Sequence, residues 1–525
     1  MLLFPRELPS RDGASDSAGL PSAQAPLKFL LLIFIASLTL QPPVDPDFGW
    51  HLRAGLDLVQ HQGRFPASDP YSHTMPDWPW VEYGWLTDGI MGACFAVLGP
   101  WGVSAIILIF AAITIWAFLW SASVATVGRM ARLLAVAGVL WVGLPFLGVR
   151  THMITLLGLA AVSWVWARFH HRHHEVSWTL PLLFLVWSNL HGGFTAGFFS
   201  LGLVILLSLV VDTVKHGSIP LLTNLIRYST EPVPDRAAIG RLGGIVLLSA
   251  TATLLNPYGW RLHLEIYQSL TDSVMLQVLH EWQPVSGETR AGAWFLGYVG
   301  LLGALMLGWY RRVEPLRMMT LAVFLFLALR HVRNVPFFLL LSVPLLADLL
   351  QQVGDSLMSV MRRVRGLARV GALPLMTVVA IVLILLGPDH LEQVAASARS
   401  PMDYFQGTEY PIEALLWAQR HRDRVGTRLY NDYGYGGFIL WWLPGEKVFI
   451  DGRMPAWRMG DRWIFYDYMA LTTGESPALG VLDKYGVDWG LMAKDTALDR
   501  ALRGRLDWES VYEDRKAVIY VKRST

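Results

Sequence analysis

"DPDFGWHLRAG", residues 45–55, begins a few positions after an apolar run that ends at Leu40. The stretch places Asp45, Asp47, His51 and Arg53 where the first apolar segment stops. Ionisable groups are costly in lipid, so they face water or a polar cavity at the membrane surface. The stretch therefore marks the point where a membrane-embedded helix gives way to a polar loop.

The composition of the whole chain predicts a membrane protein. The chain has 525 residues, of which 53% are hydrophobic and 16% charged, whereas about 25% of the residues of a soluble domain are charged. Apolar segments that approach the roughly 20 residues needed to cross a bilayer recur along the chain. They are residues 26–40, 103–122, 133–147, 153–167, 178–190, 194–211, 242–255, 293–309, 318–328, 335–350 and 372–386. We predict an α-helical polytopic membrane protein with about eleven transmembrane helices.

Charge and cysteine content exclude two other classes of protein. The net charge is only +2, and Arg and Lys gather at helix ends instead of forming a basic face, so no nucleic-acid partner is expected. Cys94 is the only cysteine in the sequence, so no intramolecular disulfide framework exists.

The distribution of Arg and Lys among the loops predicts the orientation. With a cytoplasmic N-terminus, the basic loops near residues 129–132, 168–175, 215, 311–317 and 362–369 all lie inside. The loops 41–102 and 257–292 and the chain after residue 387 then lie outside. This arrangement requires residues 85–98 to lie along the outer surface as an interfacial helix.

Three regions follow from this topology. Residues 1–26, rich in Ser, Ala, Pro and charge, are predicted to be a disordered cytoplasmic tail. Residues 27–387 form the transmembrane domain with the large first external loop 41–102. Residues 388–525 have the composition of a soluble domain, with strand-like runs "RLYND", "GGFILWWL", "KVFIDG", "VDWGLMA" and "AVIYVKR" between turns. We predict a small extracytoplasmic α/β domain there.

Polar residues at the outer ends of the helices form a second pattern. They are Arg150, His152, Asn189, His191, Glu281, Arg330, His331 and Arg333. Arg330 and Arg333 lie on the predicted outer side, although most Arg and Lys residues lie in the inner loops. Cations at this position indicate that the protein binds an anion there. A single Arg at a helix end more often extends to lipid headgroups. Taken with the carboxylates of the first loop, however, the set predicts one outer cavity.

Carboxylates beside cations at a membrane surface suit the transfer of a phosphate-linked group. A carboxylate removes the proton of an acceptor hydroxyl as general base, while Arg and His neutralise the departing phosphate. A polyprenyl-phosphate sugar presents its phosphate at this depth and keeps its tail in the bilayer. Asp45 and Asp47 are also candidate ligands of Mg²⁺ or Mn²⁺, which take carboxylate oxygens, although no metal is assigned.

The first-loop stretches "DPDFGWHLRAG", "PASDPYSHT" and "PWVEYGWL" resemble a group of bacterial membrane proteins related to GT-C glycosyltransferases. The resemblance extends to "SNLHGG", "LNPYGW", "HEWQP", "LRHVRN" and "VFIDGR". It implies one helix, a large acidic external loop with surface-lying helices, a helix bundle and an external C-terminal domain.

The resemblance also implies the chemistry of the site. It implies a polyprenyl-phosphate-linked sugar as donor and an Asp or Glu of the first loop as catalytic base. Better-known members have Asp-Glu at this point, whereas Asp47 is followed by Phe48 here. The spacing of Asp47 to Gly63 is similar to the family's spacing of its carboxylate to a glycine. Asp47 is therefore the expected base, with Asp45 and His51 beside it.

We therefore expect an inverting transferase that moves a sugar to an unknown cell-envelope acceptor at the outer face of a bacterial inner (plasma) membrane. One alternative is a non-catalytic or transport protein that binds lipid-linked glycans during export or assembly. A transporter commonly carries broken helices in paired halves, whereas the polar residues gather at one face here. A lipid A or teichoic-acid type transferase, which moves a phosphate-bearing group, would use similar cations and is the other alternative.

Overall fold

A computed structural model describes residues 21–172, 178–216, 236–309, 314–363 and 410–523, together with Phe405 and Thr408. The predicted span 372–386, residues 1–20 of the predicted tail and parts of the basic loops at 168–175, 311–317 and 362–369 lie outside the described residues.

The described part of the chain is mostly helical. The longer helices up to residue 363 are α1 (Pro21–Thr39), α2 (Phe48–Gln60), α3 (Trp85–Leu98), α4 (Trp101–Ala122), α5 (Arg129–Gly143), α6 (Met153–Arg172), α7 (Thr179–Leu190), α8 (Phe194–His216), α9 (Arg236–Ala252), α10 (Trp260–Thr271), α11 (Ser273–Val278), α12 (Arg290–Trp309), α13 (Pro315–Arg330) and α14 (Val335–Arg363). Each predicted span before residue 351 coincides with one of them. Helix α1 begins at Pro21, inside the segment predicted to be disordered, because a helix extends beyond the apolar residues by which a membrane span is recognised.

Within the part of the chain that the structure describes, five helical stretches are long and apolar enough to cross a membrane: Trp101–Ala122, Arg129–Phe146, Phe194–Val214, Arg290–Trp309 and Val332–Val360. The shorter apolar helices include Trp85–Leu98, whose length of about 21 Å is less than the hydrocarbon thickness of a bilayer. The polytopic helical class is confirmed, while the total of eleven crossings and the interfacial position of α3 stay predictions.

Close packing and a few hydrogen bonds hold the bundle together, as expected where lipid removes the hydrophobic drive between helices. The indole of Trp187 on α7 lies against Gly158 of α6 and Gly197 of α8, where a side chain would collide with the ring. Ser121 Oγ of α4 donates a hydrogen bond to the Leu340 carbonyl of α14 at 2.7 Å. The small residues therefore set how closely the helices approach.

The first loop folds into its own helical layer. Helices α2 and α3 cross at Gly55 and Gly92, where any Cβ would meet the backbone of the other helix within 3 Å. The first turns of α2 are buried, so the stretch that opens the loop lies against the rest of the protein and not in solvent.

The C-terminal region is a small α/β unit. Its helices and strands are α15 (Ile412–Arg420), β1 (Leu429–Asn431), α16 (Tyr433–Trp442), β2 (Arg458–Met459), β3 (Arg462–Trp463), α17 (Ile464–Thr472), α18 (Gly480–Lys484), β4 (Trp489–Ala493), α19 (Ala497–Arg503), β5 (Trp508–Glu513) and β6 (Ala517–Lys522). One sheet has the order β1-β4-β6-β5, with β1 parallel to β4 and the other pairs antiparallel. The runs "RLYND", "VDWGLMA" and "AVIYVKR" are thus confirmed as strands.

The prediction of a strand at "GGFILWWL" is wrong, because these residues form α16. A continuous apolar run does not distinguish a buried strand from a buried helix. Here Gly437 lies against the Pro46 carbonyl and Gly49 against the Gly437 carbonyl, a close approach that a helix with glycines on one face permits. "KVFIDG" is not a named strand either, and its Val448 forms an isolated parallel bridge with Ser72.

Direct contacts join the C-terminal unit to the first loop. Val448 N donates to the Tyr71 carbonyl at 3.0 Å, and Thr74 Oγ1 donates to the Phe449 carbonyl at 2.7 Å. The Tyr410 hydroxyl donates to the Asp45 carbonyl at 2.6 Å. The two segments therefore form one connected layer that begins at the opening stretch of the loop.

Candidate active site

A cavity of about 540 Å³ lies where the first loop, the loops at several helix ends and the C-terminal unit meet. The predicted site residues that line it are Asp45, Asp47, His51, Arg150, His152, His191, Glu281 and Arg333. They come from positions up to 288 residues apart in sequence (333 minus 45), so the fold brings them together.

Asp47 occupies the N-cap position of α2, and no side-chain cap bond to a described residue is formed there. Its Oδ1 instead accepts a hydrogen bond from Trp50 Nε1 at 3.0 Å. Burial, followed by repulsion from Asp45, raises the pKa of Asp47 to about 7. The half-buried carboxylate therefore loses its proton nearer to neutral pH than an ordinary aspartate does.

Asp45 has a different environment from Asp47. Its Oδ1 accepts a hydrogen bond from Asp47 N at 2.8 Å, and its Oδ2 pairs with Arg150 Nε at 2.5 Å. Both oxygens of Asp45 are thus engaged by the protein, and Arg150 neutralises its charge.

His51 lies deeper than the two aspartates. Its ring stacks on Trp50 with centroids 3.6 Å apart, and its Nδ1 lies 2.7 Å from Asp88 Oδ1. Nε2 is 3.5 Å from the Thr151 hydroxyl. Burial lowers the pKa of His51, whereas the negative charge of Glu82 raises it.

His191 is held as a neutral imidazole. Gly193 N donates to its Nδ1 at 3.0 Å, so the proton of the neutral ring is on Nε2. Burial, then the charges of His51 and Arg333, lower the pKa of His191 to about 3. His152 also has a pKa well below its ordinary value, because of burial and the nearby Arg150. Neither histidine therefore adds a positive charge near neutral pH.

Arg333 lies in a short 3-10 helix, Val332–Asn334. Val332 N donates to the carbonyl of Gln283, the residue that follows the 3-10 helix His280–Trp282, at 3.0 Å. Arg333 Nη1 is 3.1 Å from Glu281 Oε1, and the guanidinium lies 4.1 Å from the centre of the Trp282 ring. About a third of the side chain is exposed (34%). The indole orients the guanidinium by a cation–π contact and leaves part of it open to a ligand.

Three other predicted residues lie outside the lining of this cavity. Asn189 bonds Trp85 Nε1, the Leu185 carbonyl and the Leu255 carbonyl, so it ties three segments together. His331 Nδ1 donates to the Trp282 carbonyl at 2.6 Å. Arg330 is exposed on α13.

The cavity also has lining residues that the sequence did not single out. Glu265 on α10 is one, and burial raises its pKa to about 7. Tyr83 and Tyr433 also line the cavity. The one available signal for Glu265 was a single carboxylate on a helix with an apolar face, which is too common to mark a site.

Arg453 joins the C-terminal unit to the cavity wall. It is buried and pairs with Asp451 at 2.5 Å and with Asp69 of the first loop at 2.6 Å. The rings of Trp50, Tyr71, Trp80 and Trp457 lie within 6 Å of its guanidinium. The neighbouring Gly452 lies against the Asp47 carboxylate, since a methyl group at position 452 would be 1.7 Å from Asp47 Oδ1.

The arrangement places the Asp47 carboxylate and the guanidinium groups of Arg150 and Arg333 in one cavity. Asp47 is free of a cationic partner among the described residues, while Arg150 and Arg333 are each paired with one carboxylate. Such a site can remove a proton from a hydroxyl and stabilise a negatively charged leaving group.

Comparisons with known proteins bear on the fold. The sequence matches no protein-family model and none of the curated proteins. Among solved structures, the crystal structure of ArnT from Cupriavidus metallidurans bound to undecaprenyl phosphate is similar, with 14% identity, a TM-score of 0.51, and coverage of 95% of this chain and 98% of that chain. The apo structure of the same protein has 15% identity, a TM-score of 0.50 and the same coverage.

The likeness covers both the helical bundle and the C-terminal unit, since almost the whole length of each chain is matched. At this identity it concerns the fold and not the individual residues. The fold that the resemblance implied is confirmed: the chain is a polytopic helical membrane protein whose fold is similar to that of ArnT from Cupriavidus metallidurans.

Proposed function

We propose that this protein is a membrane glycosyltransferase that moves a sugar from a polyprenyl-phosphate carrier to a cell-envelope acceptor at the outer face of a bacterial inner membrane. The observation that carries the proposal is the position of the Asp47 carboxylate. It shares one cavity with Arg150 and Arg333, and its side chain is not used to cap α2.

The proposed reaction is a single displacement at the anomeric carbon. Asp47 takes the proton of the acceptor hydroxyl as that oxygen forms its bond to the sugar. The bond from the anomeric carbon to the phosphate oxygen breaks, and the polyprenyl phosphate leaves with the electron pair. Attack from the face opposite the leaving group inverts the configuration. A carboxylate with a pKa of about 7 suits this role near neutral pH.

Arg150 and Arg333 are the proposed phosphate-binding groups. Their side chains are 36% and 34% exposed, so they can reach a ligand in the cavity. Asp45 and Glu281 offset the two charges before the carrier binds, and the planar guanidinium matches phosphate oxygens better than an ammonium group does. His191, His152 and His51 are proposed to complete the polar wall.

Two further observations support the class of carrier and the place of the site. ArnT from Cupriavidus metallidurans was crystallised with undecaprenyl phosphate, which supports a polyprenyl phosphate here. The first loop and the C-terminal unit are in direct contact, which supports their placement on the same side of the membrane. The loop charges favour the outer side.

The test is purification of the full chain in detergent, followed by mass spectrometry of lipids that co-purify. We expect a polyprenyl phosphate in the wild type and less of it in Arg333→Lys, because an ammonium group does not reproduce the bidentate contact. Arg330→Lys is the matched control, since Arg330 lies outside the cavity lining, and it should retain the lipid. Equal lipid content in Arg333→Lys and the wild type would contradict the phosphate assignment.

A further inference from the structure

A cluster of three ionisable side chains lies behind the wall of the cavity. His51 on α2, Glu82 before α3 and Asp88 on α3 each offer a ligand atom within 4.8 Å of the others. All three are buried, with exposed fractions of 4%, 4% and 1%. We propose that they bind one divalent transition-metal ion, Zn²⁺ or Mn²⁺, at a site separate from Asp45 and Asp47.

The hydrogen bonds of the cluster leave one carboxylate oxygen, Asp88 Oδ2, without a partner among the described residues. His51 Nδ1 lies 2.7 Å from Asp88 Oδ1, and Glu82 Oε1 accepts a hydrogen bond from Gly84 N at 3.2 Å. No donor among the described residues reaches Asp88 Oδ2, although this atom is fully buried. A buried carboxylate oxygen without a donor is costly, and a metal ion would satisfy it.

The charges near the cluster also favour a bound cation. The cation that acts on both His51 and Glu82 is Arg453, and Arg453 is already paired with Asp69 and Asp451. Glu82 therefore has no cationic partner of its own among the described residues, and the one basic group that contacts Asp88 there is the imidazole of His51. Buried charges are normally paired or coordinate a metal, and a divalent cation would neutralise the two carboxylates.

The ligand set and the space around it fit a transition metal. One imidazole with two carboxylates suits Zn²⁺ or Mn²⁺ better than Mg²⁺ or Ca²⁺, which prefer oxygen ligands alone. A second cavity of about 280 Å³ is lined by Glu82 and Asp88 and reaches the exposed His61 and Arg64. It provides an access path and room for a water in the open coordination position.

The ion would also fix the chemistry of His51 at the main cavity, a consequence that rests on the proposed function. A metal on Nδ1 leaves the proton on Nε2, which lies on the side of Thr151 in the cavity wall. The stacking of the ring on Trp50 holds this orientation. His51 would then present a fixed N–H donor to the cavity.

The test uses the full chain in detergent, stripped with a chelator and reloaded with Zn²⁺, Mn²⁺ or Mg²⁺ separately. After removal of free metal, we expect about one Zn²⁺ or Mn²⁺ per wild-type chain by mass spectrometry and a raised melting temperature, with little Mg²⁺ retained. Glu82→Gln and Asp88→Asn should lose most of the bound metal. Asp57→Asn is the control, because Asp57 lines the same second cavity but is paired with Arg53 and Tyr71.

Substoichiometric metal in the wild type with both Zn²⁺ and Mn²⁺ would overturn the proposal and favour a proton shared by Glu82 and Asp88. Unchanged metal content in both variants would also overturn it. If the variants do not fold, X-ray absorption spectroscopy of the metal-loaded wild type identifies the ligands of the ion. An imidazole in the first coordination shell supports the site, and its absence contradicts it. Metal content is measured without transfer activity, so this test is independent of the proposed function.

Discussion

Asp47 stands at the N-cap of α2, a position where an aspartate usually accepts a hydrogen bond from the first turn. In this structure its carboxylate bonds the Trp50 indole instead and lies against Gly452. Asp45 makes the local turn contact to Asp47 N and pairs with Arg150. Two aspartates two positions apart thus have different environments, and of the two only Asp47 lacks a cationic partner among the described residues.

The first prediction concerns Asp47→Asn. Asn preserves the size of the side chain and accepts a hydrogen bond but cannot take the proton of the acceptor. We expect the variant to fold, to bind the carrier lipid and to lose roughly 10²-fold or more in turnover. The measurement is sugar transfer at saturating donor, with carrier binding determined in parallel.

Asp45→Asn serves as the comparison. It removes one charge from the pair with Arg150, so carrier affinity should change more than the chemical step. Near-normal transfer by Asp47→Asn would contradict its role as base.

The second prediction concerns pH and follows from the pKa of Asp47, raised from 3.8 to about 7 by burial. Only the ionised carboxylate acts as base, so kcat/KM should rise about tenfold per pH unit below pH 7 and level off above it. The pH profile of transfer measures this limb. A profile that is flat between pH 5 and 7 would be inconsistent with Asp47 as the base.

The stability of the folded protein should decrease with rising pH over the range in which kcat/KM increases. Between pH values near 4 and 7 the folded protein retains a proton that the unfolded chain has released. The stabilisation from this proton is full below the unfolded pKa and is lost as pH rises through the folded pKa. The wild type should therefore lose stability relative to Asp47→Asn between pH 4 and 7, as measured by melting temperature.

At the level of elements, the C-terminal unit contributes a wall of the site through the segment that follows Val448. Gly452 contacts Asp47, and the next residue, Arg453, pairs with Asp69 of the first loop. The position of the Asp47 carboxylate therefore depends on a segment about 400 residues away in sequence (452 minus 47).

The third prediction is that Gly452→Ala displaces the Asp47 carboxylate. The new methyl group would lie 1.7 Å from Asp47 Oδ1, so the carboxylate or the segment must move. A displacement of about 1 Å can lower turnover by roughly 10²-fold. The measurement is turnover together with melting temperature, which reports whether the fold is retained.

Gly434→Ala is the matched control. Gly434 is on α16 with open space around it among the described residues, so this variant should transfer sugar normally. Equal activity of the two alanine variants would show that the contact with Asp47 is not important for catalysis.

At the level of the whole molecule, the proposal requires the first loop and the C-terminal unit on the outer side. The fourth prediction is that Ala67→Cys and Ser510→Cys, both exposed, react with an impermeant thiol reagent in intact spheroplasts. Trp178→Cys, exposed between α6 and α7, should react only after permeabilisation. The variants are made in a Cys94→Ser background, because Cys94 is the single native thiol.

Labelling of Trp178→Cys in intact cells, with protection of the other two variants, would contradict the predicted topology and indicate the inverted one. Ser72 is unsuitable as a probe, since it is fully buried beside Val448. A cysteine at that position would be protected on either side of the membrane.

The sequence by itself determined the membrane class, the start of the acidic first loop and three of the C-terminal strands. These features depend on local composition and on periodicity, which any segment carries within itself. The motifs around Asp47, His191 and Arg333 also carried the resemblance from which the polytopic helical fold was expected. The strand predicted at "GGFILWWL" was wrong because its apolar residues suit either conformation, and the contact with Pro46 and Gly49 lies outside the run.

Only the tertiary structure decided which polar residues share the cavity. Asn189 and His191 are two positions apart, yet Asn189 bonds the ends of neighbouring helices whereas His191 lines the cavity. Arg330 and Arg333 differ in the same way, because three residues and a turn of helix place one side chain outward and the other beside Trp282. The sequence marks a residue as polar and near a helix end, but the direction of its side chain depends on how helices distant in sequence pack against one another.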